Sequence, residues 1–155
     1  MKRVLMIAIV ATVIIGCGRE IECRDASINL NFIGFSPNSL NNLVIRKFIK
    51  NSNFQNKIDS ILVMPPNILT NNLGDTSMLA LGNSGNYPTS EFDYQIFLPA
   101  INRTILLTDI QKRDRTSSCG ALETDCFCDD EIISLKVDNQ IGILQNTRAY
   151  NLFIR

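Results

Sequence analysis

The chain has 155 residues with equal numbers of basic and acidic side chains, so it is electrically balanced at neutral pH. With no basic patch and no aromatic residues interleaved with Arg or Lys, a nucleic-acid partner is not expected. Histidine and tryptophan are both absent, which removes the commonest general base and the commonest metal ligand. At the N-terminus Lys2 and Arg3 precede Val4 to Ile15, an uncharged run whose only hydroxyl is Thr12. A helix needs about 20 apolar residues to cross a bilayer. This run is too short for that, and it lacks the polar positions of a buried amphipathic helix. A basic head and a short hydrocarbon run have the form of a secretory signal.

The run ends in Ile14-Ile15-Gly16-Cys17. This stretch resembles the bacterial lipobox, in which an aliphatic residue, a tolerant position and a small residue precede a cysteine. The resemblance implies that residues 1–16 are a lipoprotein signal peptide. Cys17 then becomes the first mature residue, with diacylglycerol on its sulfur and an acyl chain such as palmitate on its amino group. Each buried methylene contributes ~0.8 kcal/mol, so several chains on one residue make desorption negligible. Gly18 stands where an Asp would imply retention at the inner membrane, so the outer membrane is implied. Glu20 and Glu22 resemble the export signal of surface-exposed lipoproteins of the Bacteroidota, and the periplasmic and cell-surface faces both remain open. Residues 17–26 are read as a lipidated N-terminus and polar tether, and residues 27–155 as one domain.

Within that domain Ser27 to Phe32 alternates polar and apolar, the period of a strand with one wet face. Pro37 follows Ser36 as at a helix start, yet the β-branched residues of Leu43 to Lys50 favour a strand over a helix. Ile58 to Met64 is a short apolar run stopped by Pro65-Pro66. Residues 65–90 read as turns around a short strand at Ser77 to Leu81. Phe92 to Leu98 reads as a strand with Phe92, Tyr94, Ile96 and Leu98 on its buried face. Pro99 to Asn102 turns the chain into Arg103 to Ile110, a hairpin. Ile132 to Val137 is a strand, Asp138-Asn139 a turn, and Tyr150 to Ile154 a last strand. The pattern is all-β: an antiparallel β-sandwich of seven to eight short strands, Ig-like or transthyretin-like in outline. The order of features (lipobox, early cysteine, alternating strand, "DYQIFLP", then a C-x6-C-x-C cluster) also resembles the layout of small Bacteroidota lipoproteins.

The densest chemistry is "SSCGALETDCFCDDE", residues 117–131. Zinc sites favour CxxC pairs and often histidine, calcium loops alternate their acids, and redox pairs have two intervening residues. None of these fits, so no metal or cofactor is expected, and the segment reads as a solvated acidic loop clipped by disulfides. Asp93, Asp109, Asp114 and this loop are the acids available for a carboxylate-pair hydrolase. The favoured function is instead a non-catalytic binding, adhesive or accessory module with a protein or glycan ligand.

Setting Cys17 aside leaves Cys23, Cys119, Cys126 and Cys128, which allow three pairings. Cys126 and Cys128 point the same way in an extended chain with Cα atoms about 7 Å apart, too far to bridge. Two schemes survive. Cys23–Cys128 with Cys119–Cys126 is favoured over Cys23–Cys126 with Cys119–Cys128, because Cys23 and Cys128 each lie shortly before a predicted strand.

Overall fold

The computed structural model describes residues 19–64, 67–70, 76–81, 86–119, 128–146 and 150–155. Their strands are β1 (Arg19–Glu22), β2 (Ile28–Ile33), β3 (Leu43–Ile49), β4 (Lys57–Val63), β5 (Ile68–Thr70), β6 (Thr76–Leu79), β7 (Phe92–Leu98), β8 (Arg103–Arg113), β9 (Thr116–Cys119), β10 (Glu131–Val137), β11 (Gln140–Ile141), β12 (Ile143–Asn146) and β13 (Tyr150–Ile154). No α-helix occurs among the described residues. The chain is therefore all-β, and its sheets pack as a sandwich. It divides into two compact units. One holds described residues of Asp25–Arg113 and Ile132–Arg155, and the other holds, among the described residues, 19–24 with 114–119 and 128–131.

The larger unit is built from a six-stranded sheet, order β11-β10-β8-β7-β3-β4, and a five-stranded sheet, order β12-β13-β2-β6-β5. Hairpins alternate between the sheets. β3–β4 and β7–β8 enter the first as antiparallel pairs, and β5–β6 and β12–β13 enter the second. The first and last strands of the unit, β2 and β13, run parallel. Their register sets Ile28 beside Tyr150, Leu30 beside Leu152 and Phe32 beside Ile154, all six buried. From the other sheet Leu43, Ile45, Ile96, Leu98, Ile105 and Leu107 complete the core with no measurable or almost no exposure. Removing one such side chain costs about 2–5 kcal/mol through lost transfer and the cavity left behind.

The alternation read over Ser27 to Phe32 is realised in β2, but its polar face is not simply wet. Asn31 is buried, and the Asn31 and Asn29 amides both donate to Asn151 Oδ1 at 3.4 Å. The four apolar positions predicted on one face of β7 turn inward, with Tyr94, Ile96 and Leu98 buried and Phe92 packed on the core. Leu43 to Ile49 is a strand, and the Ser36-Pro37 helix start is confined to one 3-10 turn, Pro37–Leu40, capped by Ser36.

Asparagine supplies left-handed backbone where the turns require it. Asn51, Asn53 and Phe54 all have positive φ in the β3–β4 turn. The Phe54 ring packs edge-on against Phe48 at 5.3 Å. Asp138 and Asn139, both at positive φ, form the two-residue β10–β11 turn, matching the right-handed strand twist. Asp138 is further fixed by Leu106, whose amide donates to Asp138 Oδ1 at 2.8 Å.

The smaller unit is a two-stranded antiparallel ribbon, β1 with β9, in which Arg19 lies opposite Cys119 and Glu22 opposite Thr116. Residues 19–22, read from sequence as part of a free tether, are thus a strand. Polar composition concealed it, because backbone pairing needs no apolar face when a covalent bond lies nearby.

Candidate functional site

Of the predicted site residues, Cys17 and Cys126 lie outside the described residues. Cys119 places its backbone in β9. Cys23 and Cys128 form a disulfide, the pairing favoured from sequence. The reason given for it does not hold, however. The strands that follow the two cysteines, β2 and β10, lie in different sheets. The bond instead closes the ribbon unit. Arg24 and Asp129 form a parallel bridge, Arg24 N donates to Cys128 O at 2.9 Å, and Asp130 N donates to Arg24 O at 2.7 Å.

The acidic loop also departs from its reading as uniformly solvated. Asp129 is exposed and meets Arg24 at 3.2 Å. Asp130 is buried, and its Oδ1 accepts from Arg115 N at 3.0 Å. Glu123 and Asp125 lie outside the described residues.

Asp93 and Asp109 are each engaged by a partner of their own. Asp93 is buried on β7 and accepts from Asn51 N at 2.8 Å. Asp109, at positive φ within β8, turns to Lys136 on β10 at 2.7 Å. The ammonium beside it holds its carboxyl below the ordinary range. Asp114 is exposed in the ribbon unit.

The structure does bring together two acids that no sequence pattern links. Lys112 Nζ sits 2.8 Å from Asp25 Oδ1, and the Ser90 hydroxyl donates to the same oxygen at 3.4 Å. The Lys112 hydrogen bond lowers the proton affinity of Asp25. Glu91, exposed beside it, shares a hydrogen bond with Asp25 that raises its own. The two acids thus differ in proton affinity, Asp25 lowered and Glu91 raised, and such a division can serve acid and base chemistry. Around the pair, Lys50 Nζ donates to Ser90 O at 2.8 Å and to Ile110 O at 2.6 Å. Lys47 Nζ lies 3.7 Å from the Phe92 ring centre. Burial pushes the Tyr94 hydroxyl up, and that oxygen accepts from Thr89 N at 3.0 Å.

A second feature is apolar. β4 ends the six-stranded sheet and β5 ends the five-stranded one, and no strand among the described residues pairs with either outer edge. Between them in sequence, Asn67 N donates to Met64 O at 2.9 Å. Along these edges Ile58, Leu62 and Met64 are each at least half exposed, and Leu69 is nearly so. Leu62 continues across the sheet through Val44 to Phe97. The edge carries its own protection: Ile58 is an extra residue at the register shift opposite Lys47 and Phe48, and Asp59 Oδ1 accepts from Ser60 N at 2.7 Å. Such devices deter indiscriminate strand pairing.

No protein-family model matches this chain, and no curated protein or solved structure matches it significantly.

Proposed function

We propose that the protein is a lipid-anchored binding module of the bacterial outer membrane, held through Cys17, and that its β4 edge receives the ligand. The observation that carries this reading is the row of exposed Ile58, Leu62 and Met64 along and just past β4, the outer strand of the six-stranded sheet. Exposed apolar side chains gathered in one place mark interaction sites, whereas scattered ones do not. An edge strand also offers main-chain groups to an extended segment, which favours a protein ligand over a glycan. A photoactivatable residue at position 62 in the native membrane is expected to capture one discrete partner. Ile58→Lys, with the fold retained, abolishes that capture. Equal capture from exposed Thr104, or capture insensitive to Ile58→Lys, contradicts the reading.

The competing reading is a small hydrolase acting through Asp25 and Glu91, which their opposed proton affinities favour. It ranks second because Glu91 is exposed, and active sites draw their electrostatic strength from excluding water. Hydrolysis of a glycoside or ester that is lost in both Asp25→Asn and Glu91→Gln would reverse the ranking.

A further inference from the structure

We propose that the β1–β9 ribbon is a membrane-contacting element, held among the headgroups of the lipid surface. The inference rests on the lipid-anchored reading of Cys17.

Two peptide units separate Cys17 from Arg19, the first residue of β1. Fully extended, they reach at most about 7 Å. An anchored chain normally gains distance from the bilayer by a longer flexible leader, and here β1 removes it. Arg19 to Glu22 are paired residue by residue with Cys119 to Thr116. The far end of β1 is fixed as well: Cys23 N donates to Arg115 O at 3.0 Å, and the Cys23 sulfur is bonded to Cys128. If β1 peeled from β9, the disulfide would still stop the slack at Cys23, six residues from the lipid and within about 20 Å of it. The strand pairing sets the short reach, and the covalent bond sets its limit.

The chemistry of the ribbon says how deep it sits. Glu20, Glu22, Thr116 and Ser118 are exposed, and Ile21 is only half so. None of the large exposed hydrophobic residues of the described chain belongs to β1 or β9. Carboxylates and hydroxyls resist entry into hydrocarbon, where unpaired polar groups cost several kcal/mol each. The ribbon therefore rests in the polar layer, and the acyl chains alone enter the bilayer. The partner is the lipid headgroup surface itself.

Because the chain contains no tryptophan, Ser118→Trp makes a unique energy donor on β9. The lipidated full chain is placed in phosphatidylcholine vesicles carrying a dansylated headgroup, after flotation has shown that it is bound. Strong transfer from Trp to dansyl is expected. Inserting about twenty Gly/Ser residues between Gly18 and Arg19, a coil of roughly 25 Å, should reduce that transfer to half or less. Thr116→Trp provides a second reporter should Ser118→Trp disturb the ribbon. A chain that floats with weak transfer, or with transfer unchanged by the insertion, overturns this inference alone. A chain that does not float overturns the lipid-anchor reading and this inference with it.

Discussion

Cys23 and Cys128 stand 105 positions apart in sequence and 4.8 Å apart between Cα atoms, joined through their sulfurs. One residue further on, Arg24 and Asp129 form a parallel bridge. The disulfide therefore closes a long loop at the point where two backbone segments already run side by side. Closing a loop of that length stabilises by up to about 4–5 kcal/mol in the chain-entropy model. Cys23→Ala with Cys128→Ala should lower the chemical-denaturation midpoint markedly, by an amount equivalent to about 2–5 kcal/mol. An unchanged midpoint, or peptide mapping that joins Cys23 to Cys126, would contradict the assignment.

Asp129 and Asp130 are neighbours with different fates. The exposed pair of Asp129 with Arg24 is worth little, so Asp129→Ala should change stability by about 0.5 kcal/mol or less. Asp130 is 3% exposed and accepts the Arg115 amide. Asp130→Ala leaves that amide without its partner and should cost about 1–3 kcal/mol. Hydrogen exchange at Arg115 provides the check, since it should rise in the second variant and not in the first.

Those two acids also show where sequence reading stops. Alternation is legible when burial follows a period of two, so β2, β7 and β13 were plain in the sequence. β9, Thr-Ser-Ser-Cys, has no aliphatic residue, and β1 has only Ile21. Nothing in their composition separates them from loop, and it is pairing with each other that makes them strands. β8 runs past Ile110 to Arg113 because Gln111, Lys112 and Arg113 remain exposed while their backbone continues the strand. Asp25 and Glu91 meet only through the fold. No motif spans them, and the acids that looked available, Asp93 and Asp109, are occupied by Asn51 and Lys136.

The Asp25–Glu91 pair predicts an acid-range signature. Glu91 binds its proton more tightly when folded. Its contribution to stability is therefore full below its ordinary pKa of about 4.3, and is lost as pH rises through the elevated value. Asp25 behaves oppositely, because Lys112 lowers its folded value. Its contribution is present above about 3.9 and disappears as pH falls through the lowered value. Glu91→Gln should therefore increase stability at neutral pH relative to wild type and flatten the profile just above pH 4.3 or so. Unfolding midpoints across the acid range test this, and a profile unaltered by the substitution would contradict the pairing.

Gly142 carries the chain from β11 in one sheet to β12 in the other. A Cβ there would lie 2.5 Å from Leu135 Cδ1 and 3.1 Å from both Leu152 Cδ1 and Val137 Cγ2. Leu135 is 1% exposed, so its tip has little room to withdraw. Gly142→Ala should cost about 1–3 kcal/mol by overpacking. Adding Leu135→Val should recover part of the loss, a coupling readable in a double-mutant cycle. Strict additivity would show that the contact does not limit this position.

The central claim is that Cys17 bears the lipid that holds this sandwich at the membrane. The most direct measurement is metabolic labelling of the full-length chain with an alkyne fatty acid in a lipoprotein-processing bacterium, comparing wild type with Cys17→Ala. Label should enter the wild-type protein and be absent from the variant. Equal labelling of both, or of neither while both are exported, would contradict the account.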